Sequence, residues 1–282
     1  MQTLVIARLT FKEAARRKIL LAALVLGIIF LIVFGVGYHL VVQELEKSPF
    51  GPTVIQRNEI QGFLYSAGLY VVNFLIVMMT VLTSVDTISG EIQSGTIHTL
   101  IAKPIRRWEI LIGKFLGFTV MITLYMLLMA GGITLFVFLR SDYIANNPFA
   151  AMSLIWLNAL VLLSVSLLGG TFLSTLANGV LVFGLFGIAF IGGWIEQIGS
   201  FLPQASTKLA TTNIGIITSL ILPSEALWKR AAFEIQSPLT SSLGMSPFVA
   251  RTVPSPMMIV YAVLFLLVIT GFAVHQFGRR DL

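Results

Sequence analysis

Six long stretches of this sequence contain almost no charge. Only one of the chain's 30 charged side chains, Glu196, lies in residues 19–42, 63–85, 115–139, 150–176, 180–198 and 257–277. Each stretch can cross a hydrocarbon core about 30 Å thick, which takes about 20 helical residues. In lipid a helix satisfies its own backbone polar groups. The sequence therefore predicts an all-α membrane protein with six transmembrane helices in a single domain, residues 1–282.

The distribution of positive charge predicts the orientation. Six spans place both termini on one side, which carries Arg8, Lys12, Arg16, Arg17, Lys18, Lys103, Arg106, Arg107, Lys114, Arg279 and Arg280. Short loops on the other side hold only Lys47, Arg57 and Arg140. Because cytoplasmic loops are enriched in Lys and Arg, both termini are predicted to be cytoplasmic, in the plasma or inner membrane. The net charge of +6 thus indicates membrane lipid, and no nucleic acid, as a partner.

Residues 1–18 are predicted to form an interfacial amphipathic helix. Arg8, Lys12 and Arg16 recur at helical spacing, opposite Leu4 and Phe11, as in helices that lie at a membrane surface. The apolar stretch that follows is longer than the roughly 7–15 residues of a signal peptide. We interpret the segment as a topology anchor.

The connections between spans differ in length. Residues 43–62 are predicted to form a polar external loop, and residues 140–149 a short external turn. Ala-Asn-Gly at 177–179 is predicted to form a tight internal turn. Residues 199–256 form the longest external segment.

Within that external segment, Ile214 to Leu222 is too short an apolar run for a seventh span. A re-entrant or surface helix ending near Pro223 is expected instead. Ser224 is expected to cap a following amphipathic helix. In that helix Glu225 and Lys229, and Arg230 and Glu234, are spaced to pair at i, i+4. The segment is either an external gate or a solvated hairpin that packs on the spans.

Residues 86–114 form the largest internal connection and are dense in charge. Thr96 to Ala102 is predicted to form a short helix, and Pro104 ends it because the residue before proline avoids the α region. A short helix projecting between two spans is suited to docking, because it is exposed yet tied at both ends.

The motifs of this connection resemble those of a known family. The similarity to permease subunits of type-2 ABC transporters lies in Glu91, Gly95-Thr96, Leu100, Lys103-Pro104, Arg106-Arg107, Glu109 and Gly113-Lys114. The six-span layout and the long last external loop are also similar. Lys-Pro-Ile-Arg-Arg-Trp-Glu, with the later Pro223-Ser224-Glu225, is most similar to the branch that includes the nitrous oxide reductase maturation permease.

The resemblance implies that two permease chains, identical or similar, pair with two cytoplasmic ATPases. The loop between spans two and three would be the coupling helix, which docks on the ATPase. Glu91, Gly95, Thr96 and Leu100 would lie in or beside it, while Pro104, Arg106, Arg107 and Glu109 would shape the return to the membrane. The arginines are expected to pair with Asp86, Glu91 or an ATPase carboxylate; the alternative is that they only enforce topology and contact headgroups.

The chain contains no recognisable catalytic motif. Its only Gly-Lys, Gly113-Lys114, has Trp108 where a nucleotide-binding loop needs glycine and Phe115 where it needs Ser or Thr. His39, His98 and His275 are far apart, and cysteine is absent. We therefore predict that the chain is no enzyme and holds no metal or cofactor, and that ATP and Mg²⁺ bind a partner ATPase.

Polar residues inside the spans are candidates for a substrate path, because a buried charge is costly. Glu196 lies near the external end of span five, and the favoured interpretation is that it reaches the interface. Asn73 and Asn158 either bond across helices or face a translocation route.

An exporting permease driven by partner ATPases is the favoured function. The alternatives are a secondary transporter or membrane assembly factor not driven by ATP, and a membrane-embedded enzyme. A secondary transporter would need ionisable groups near the midplane, and an enzyme would need a catalytic constellation. The spans contain almost no ionisable groups and no recognisable set of catalytic residues.

Overall fold

The computed structural model of the chain describes residues 2–47, 53–95, 106–236 and 252–280. All regular secondary structure in these ranges is helical. In chain order the helices are α1 (Gln2–Arg16), α2 (Lys18–Lys47), α3 (Val54–Ser84), α4 (Asp86–Gln93), α5 (Arg107–Ser141), α6 (Pro148–Gly170), α7 (Thr175–Gly199), α8 (Ala205–Ile221), α9 (Ser224–Ile235) and α10 (Met257–Arg279).

Six helices in the described ranges are long and apolar enough to cross a membrane. They are α2, α3 with its extension α4, α5, α6, α7 and α10. The predicted all-α membrane fold with six spans is confirmed. α1 and the C-terminal end of α10 lie at one end of the bundle, which we call the α1 end; the connection between α5 and α6 lies at the opposite end.

Several helices extend beyond the apolar stretches of the sequence. Residues 43–47 belong to α2 and residues 54–62 belong to α3, so the prediction of a loop across 43–62 is wrong for these residues. α3 begins where Thr53 and Gln56 form a capping box: the Gln56 amide donates to the Thr53 hydroxyl, and the Thr53 amide donates to the Gln56 side chain. Apolar length therefore measures the hydrocarbon crossing and not the whole helix.

The turn between spans four and five lies before the predicted Ala-Asn-Gly. α6 ends at Gly170 and α7 begins at Thr175, after Ser174 accepts a hydrogen bond from the Ala177 amide. The predicted turn at 177–179 is therefore wrong. Asn178 is helical and buried, and its amide donates to backbone oxygens of Val85 and Ser166.

Two spans form the centre of the bundle. We compared the most apolar 18-residue stretch of each span. In α3–α4 and α6, 72% and 78% of these residues are buried, whereas in α2 and α10 only 17% and 11% are buried. Hydrogen bonds join the two central helices: Asn158 donates to Asn73 at 3.0 Å, and Ser84 donates to Ser166 at 2.7 Å. The outer faces of α2 and α10 are left for lipid or another chain.

α1 packs against the first turns of α5. A Cβ placed on Gly113 would lie 2.7 Å from the Ile6 side chain, and one on Gly117 would lie 2.7 Å from the Ala7 carbonyl oxygen. The buried face of α1 consists of Ile6, Thr10 and Ala14. Leu4, predicted on the apolar face, is 69% exposed. The residues on α5 that permit this close approach are thus Gly113 and Gly117.

α8 and α9 form a helical hairpin that folds back along α7. α8 runs antiparallel to α7 in close contact. A Cβ would collide with Thr211 if placed on Gly199, with Glu196 if placed on Gly215, and with Thr218 if placed on Gly192. Gly192 lies seven residues before the end of α7, so the hairpin reaches about 10 Å along it. We call α8 and α9 the re-entrant hairpin.

The hairpin agrees in part with the sequence interpretation. α8 ends at Ile221, so the expectation of a helix ending near Pro223 is confirmed. Ser224 does not cap α9; it is the first helical residue and is buried, and the N-cap position is Pro223. The end of α9 returns to the α5–α6 connection, where the Asn147 amide donates to the Glu234 carbonyl at 3.1 Å.

Candidate functional site

Helix α4 is an extension of the second span. Val85, between α3 and α4, keeps helical dihedral angles (φ −56°, ψ −37°), so residues 54–93 run on with little interruption. The hydroxyls of Thr87 and Ser89 donate to backbone carbonyls one turn earlier, an arrangement that satisfies these groups inside a helix. The acidic residues of α4 are thus placed on a rigid continuation of a central span.

Gly95 ends this extension. Its φ of 71° lies in the left-handed region, which glycine adopts without a steric penalty. The preceding amide, that of Ser94, donates to the Gly90 carbonyl at 2.9 Å. The chain therefore turns away from the helix axis at Gly95. Thr96 and Leu100, predicted to lie in or beside the coupling helix, and Pro104, predicted to end it, lie outside the described residues.

Asp86 joins three elements at the α1 end. One carboxylate oxygen lies 3.2 Å from the Arg17 guanidinium, and the other accepts from the Thr175 hydroxyl at 3.2 Å. Arg17, between α1 and α2, also pairs with Glu13 at 2.7 Å. Burial lowers the pKa of Arg17, but the hydrogen bonds and charges of Glu13 and Asp86 outweigh it and raise the pKa. Arg17 therefore stays charged at this junction.

Glu91 pairs with Lys114 of α5. The Lys114 side chain is 3% exposed and that of Glu91 is 15% exposed, and the ammonium also donates to the Thr87 carbonyl at 3.3 Å. The pair ties α4 to the first turns of α5. In the sequence, Lys114 is one of the predicted cytoplasmic cations and part of a Gly-Lys motif, and nothing in its spacing from Glu91 indicates the pairing.

The arginines before the third span have other partners than predicted. Arg106 and Arg107 were expected to pair with Asp86 or Glu91, but the structure gives these acids to Arg17 and Lys114. Arg107 instead donates to backbone carbonyls of Gly278 and Arg280. The expected pairing with Asp86 or Glu91 is not observed in the described residues, because these carboxylates pair with Arg17 and Lys114. Pairing with an ATPase carboxylate stays a prediction.

Glu109 caps the start of α5. Its carboxylate accepts from the Arg106 amide at 3.0 Å, which satisfies a backbone donor at the helix N-terminus. Trp108, beside it, is 44% exposed. At the start of α5, the 86–114 connection thus exposes one aromatic side chain, Trp108, and one arginine, Arg106.

One known family covers nearly the whole chain. The model of the ABC-2 family transporter protein matches residues 4–282. The chain belongs to the ABC-2 transporter family. No curated protein matches it. Family membership makes it a multi-pass membrane protein and the translocation component of an ABC transporter, and not a catalytic subunit.

In this ABC-2 protein, Asn73 and Asn158 contact each other. Asn158 donates to Asn73 at 3.0 Å, and both side chains are buried between the central helices α3 and α6. The oxygen of Asn158 has no hydrogen-bond partner within the described ranges. Of the two interpretations of these residues, bonding across helices is the geometry observed.

Glu196 is buried within the chain. It is 8% exposed, and its Oε2 lies 2.5 Å from the ammonium of Lys229 on α9. The predicted i, i+4 partner of Lys229 was Glu225, so that expectation is wrong. Arg230 and Glu234 do pair, at 2.7 Å. Lys229 pairs with Glu196 and not with Glu225, because the re-entrant hairpin brings Lys229 against α7.

No group of three or more His, Asp or Glu side chains that could hold a metal ion occurs among the residues whose structure is described.

Proposed function

We propose that this chain is the permease subunit of an ATP-driven exporter, with the α1 end in the cytoplasm. In this proposal a separate cytoplasmic ATPase docks on residues 86–109 and binds ATP and Mg²⁺, for which this chain has no nucleotide-binding loop. The observation that supports it best is the bracing of α4: the segment that would receive the ATPase continues a central span and is paired to two other elements.

The ion pairs of α4 explain how a push there would reach the membrane. Asp86 connects α4 to the junction of α1 and α2, and Glu91 connects it to α5. Because α4 also continues α3, a force on residues 94–106 acts on several spans together. A loop attached only by its backbone would instead absorb such a force by bending.

The exposed spans support pairing with a second permease chain. α2 and α10 are the least buried of the six spans, and α2 shows exposed apolar side chains such as Ile32 and Val33. A second copy or a similar chain, together with lipid, would cover these faces. The run Lys-Pro-Ile-Arg-Arg-Trp-Glu at 103–109 supports placement in the nitrous oxide reductase maturation branch, which a gene for that reductase beside this one would favour.

The orientation can be tested directly, because the chain contains no cysteine. Lys12→Cys on α1 and Glu44→Cys near the end of α2 are both at exposed positions. In intact cells a membrane-impermeant maleimide should label Glu44→Cys only, and Lys12→Cys should react only after permeabilisation. Labelling in the reverse pattern would place the α1 end outside.

ATPase docking is tested by charge reversal at an exposed position. Arg106→Glu should reduce co-purification of the ATPase and ATP hydrolysis by the complex, while the thermal stability of the isolated chain stays the same. Arg106 is preferred to Glu91 for this purpose, because changing Glu91 also breaks the pair with Lys114.

Lys47→Glu, at the opposite end and exposed, is the matched control and should change neither measurement. If Arg106→Glu leaves both ATPase association and hydrolysis intact, the docking assignment is wrong. If no ATPase co-purifies with the unaltered chain, an ATP-independent transporter or assembly factor becomes the better proposal.

A further inference from the structure

A cavity of about 500 Å³ lies between the re-entrant hairpin and the start of α10. Most of its wall is apolar, with Ile216 and Leu220 of α8 and Val253, Met257 and Met258 near the start of α10. The volume is within the range of about 300–1,000 Å³ typical of small-molecule sites. None of the residues assigned to coupling lines it.

Two oppositely charged side chains also line this cavity. Glu196 and Lys229 are 8% and 4% exposed, and their 2.5 Å contact uses only Oε2 of the carboxylate. No described residue donates to Oε1. Thr252, also in the wall, has a buried hydroxyl without a hydrogen-bond partner in the described ranges. Ionised groups are rarely placed at such depth without a functional reason.

A second carboxylate, that of Glu225, does not line the cavity but interacts electrostatically with this pair. Glu225 is one helical turn before Lys229 on α9, and its side chain packs on Gly193 of α7, where a Cβ would lie 2.1 Å from it. Lys229 and Glu196 both act on its charge, and Glu225 in turn acts on Tyr70 of α3. Two carboxylates thus act electrostatically on one ammonium, and the three groups together carry an excess negative charge when both carboxylates are ionised.

We propose that the cavity binds a single-chain amphiphile with a cationic amine head group. The head group contacts the carboxylate of Glu196, and the alkyl tail lies along the apolar wall formed by α8 and α10. All of the described lining residues belong to this chain, and none belongs to the segment assigned to ATPase docking. Binding therefore requires no ATPase and can be tested apart from the proposed export function.

Charge and surroundings both favour this class of ligand. An anion would meet an ammonium already neutralised by Glu196, whereas a cation relieves the repulsion between the two carboxylates. Met257 and Ile216, in the cavity wall, are 74% and 51% exposed, so an apolar tail can enter from the lipid side. The cavity is thus suited to a molecule that partitions into the membrane before it binds.

The cluster also makes binding depend on pH. Burial raises the pKa of Glu225 to about 7; Lys229 lowers it and Glu196 raises it. Below this pKa Glu225 is neutral and Lys229 is held by Glu196 alone. Above it, Glu225 is ionised and adds a negative charge that also attracts Lys229, which weakens the neutralisation of Glu196 and favours a cation there. Affinity for a permanently charged cation should therefore rise as pH increases through about 7.

The test uses the full chain in lipid nanodiscs and a dodecyltrimethylammonium probe with a photoactivatable diazirine in its tail. Crosslinking should be saturable, suppressed by unlabelled dodecyltrimethylammonium, and located on α8 and the start of α10. An uncharged dodecanol probe with the same diazirine should not show saturable labelling there. Labelling equal for both probes, or unaffected by the competitor, would overturn the proposal.

Two pairs of variants separate binding from folding. Glu225→Gln resembles the protonated form, so its affinity should remain at the low-pH level, about tenfold weaker at pH 8, with the pH dependence lost. Glu234→Gln on the same helix is its control and should keep the dependence. Met258→Trp fills the cavity and should abolish labelling, while Val260→Trp, outside the wall and exposed, should not.

An unchanged pH profile in Glu225→Gln would contradict the charge argument. Labelling that survives Met258→Trp would contradict the location. Neither result bears on whether an ATPase docks at the α1 end, so this proposal can fail while the proposed function stands.

Discussion

Replacing Lys114 by methionine is expected to destabilise the protein by about 3–5 kcal/mol, because breaking one side of a buried ion pair leaves an uncompensated charge. Lys114 is 3% exposed. Methionine has a similar length and leaves little empty space, so lost packing contributes little. The cost comes from Glu91, whose side chain is 15% exposed and loses its countercharge.

The lower end of that range is the better expectation here. Glu91 retains some contact with solvent, which screens its charge. A loss of about 3 kcal/mol corresponds to a fall in melting temperature of roughly 6–12 °C, at about 2–4 °C per kcal/mol for large domains. Unfolding of membrane proteins is commonly irreversible, so the comparison requires one scan rate for all variants.

The assay is thermal unfolding of the purified chain in a nonionic detergent. The double variant Lys114→Met/Glu91→Leu removes both charges and should recover most of the lost stability. Lys12→Met, at an exposed position on α1, is the control and should shift the midpoint by no more than about 1 °C. The reasoning is refuted if Lys114→Met melts within about 2 °C of the parent, or if the double variant is no more stable than the single one.

Two further predictions concern helix packing. Asn178→Leu removes two hydrogen bonds to backbone carbonyls in a fully buried position, so it should lower the free energy of unfolding by about 1–3 kcal/mol. Asn58→Leu, at an exposed position, should lower it little, and equal melting temperatures of the two variants would contradict this. Gly117→Val places a side chain against α1 and should speed tryptic cleavage of the N-terminal residues. Gly131→Val, which meets no atom within 4 Å, should leave that cleavage rate unchanged; equal rates would show that α1 is not held by this contact.

The spans were predictable because their physical cause is local. A stretch without charge is visible in the sequence, and hydrocarbon excludes charge wherever the stretch lies in the chain. The helix ends were less predictable, since α3 begins at the capping box of Thr53 and Gln56, well outside the apolar stretch. Hydropathy carries no information about helical turns that project into water.

The turn between spans four and five shows a different limit. Ala-Asn-Gly is a frequent turn sequence, but Asn178 satisfies backbone oxygens of Val85 and Ser166 from within a helix. Ser174, a few residues earlier, was the better local signal because it is a good N-cap residue. Propensity was overridden here by partners that are distant in sequence.

The ion pairs of the candidate sites were not predictable for the same reason. Lys114 and Glu91 are 23 residues apart, and Lys229 and Glu196 are 33 residues apart. Spacing rules apply within one helix, so they suggested Glu225 as the partner of Lys229. Only the re-entrant hairpin, a tertiary feature, brings Lys229 to Glu196.

The near-continuous helix from Val54 to Gln93 places two distant regions on one axis. Tyr70 contacts Trp228 of the re-entrant hairpin, with ring centroids 5.0 Å apart, and Asp86 lies 16 residues further along, about 24 Å away. A helix resists compression along its axis, so an axial displacement of α4 reaches Tyr70 almost undiminished. If an ATPase docks at the α1 end as proposed, its nucleotide-driven movement of α4 would thus shift the contact between Tyr70 and Trp228 without any change in the loops between them.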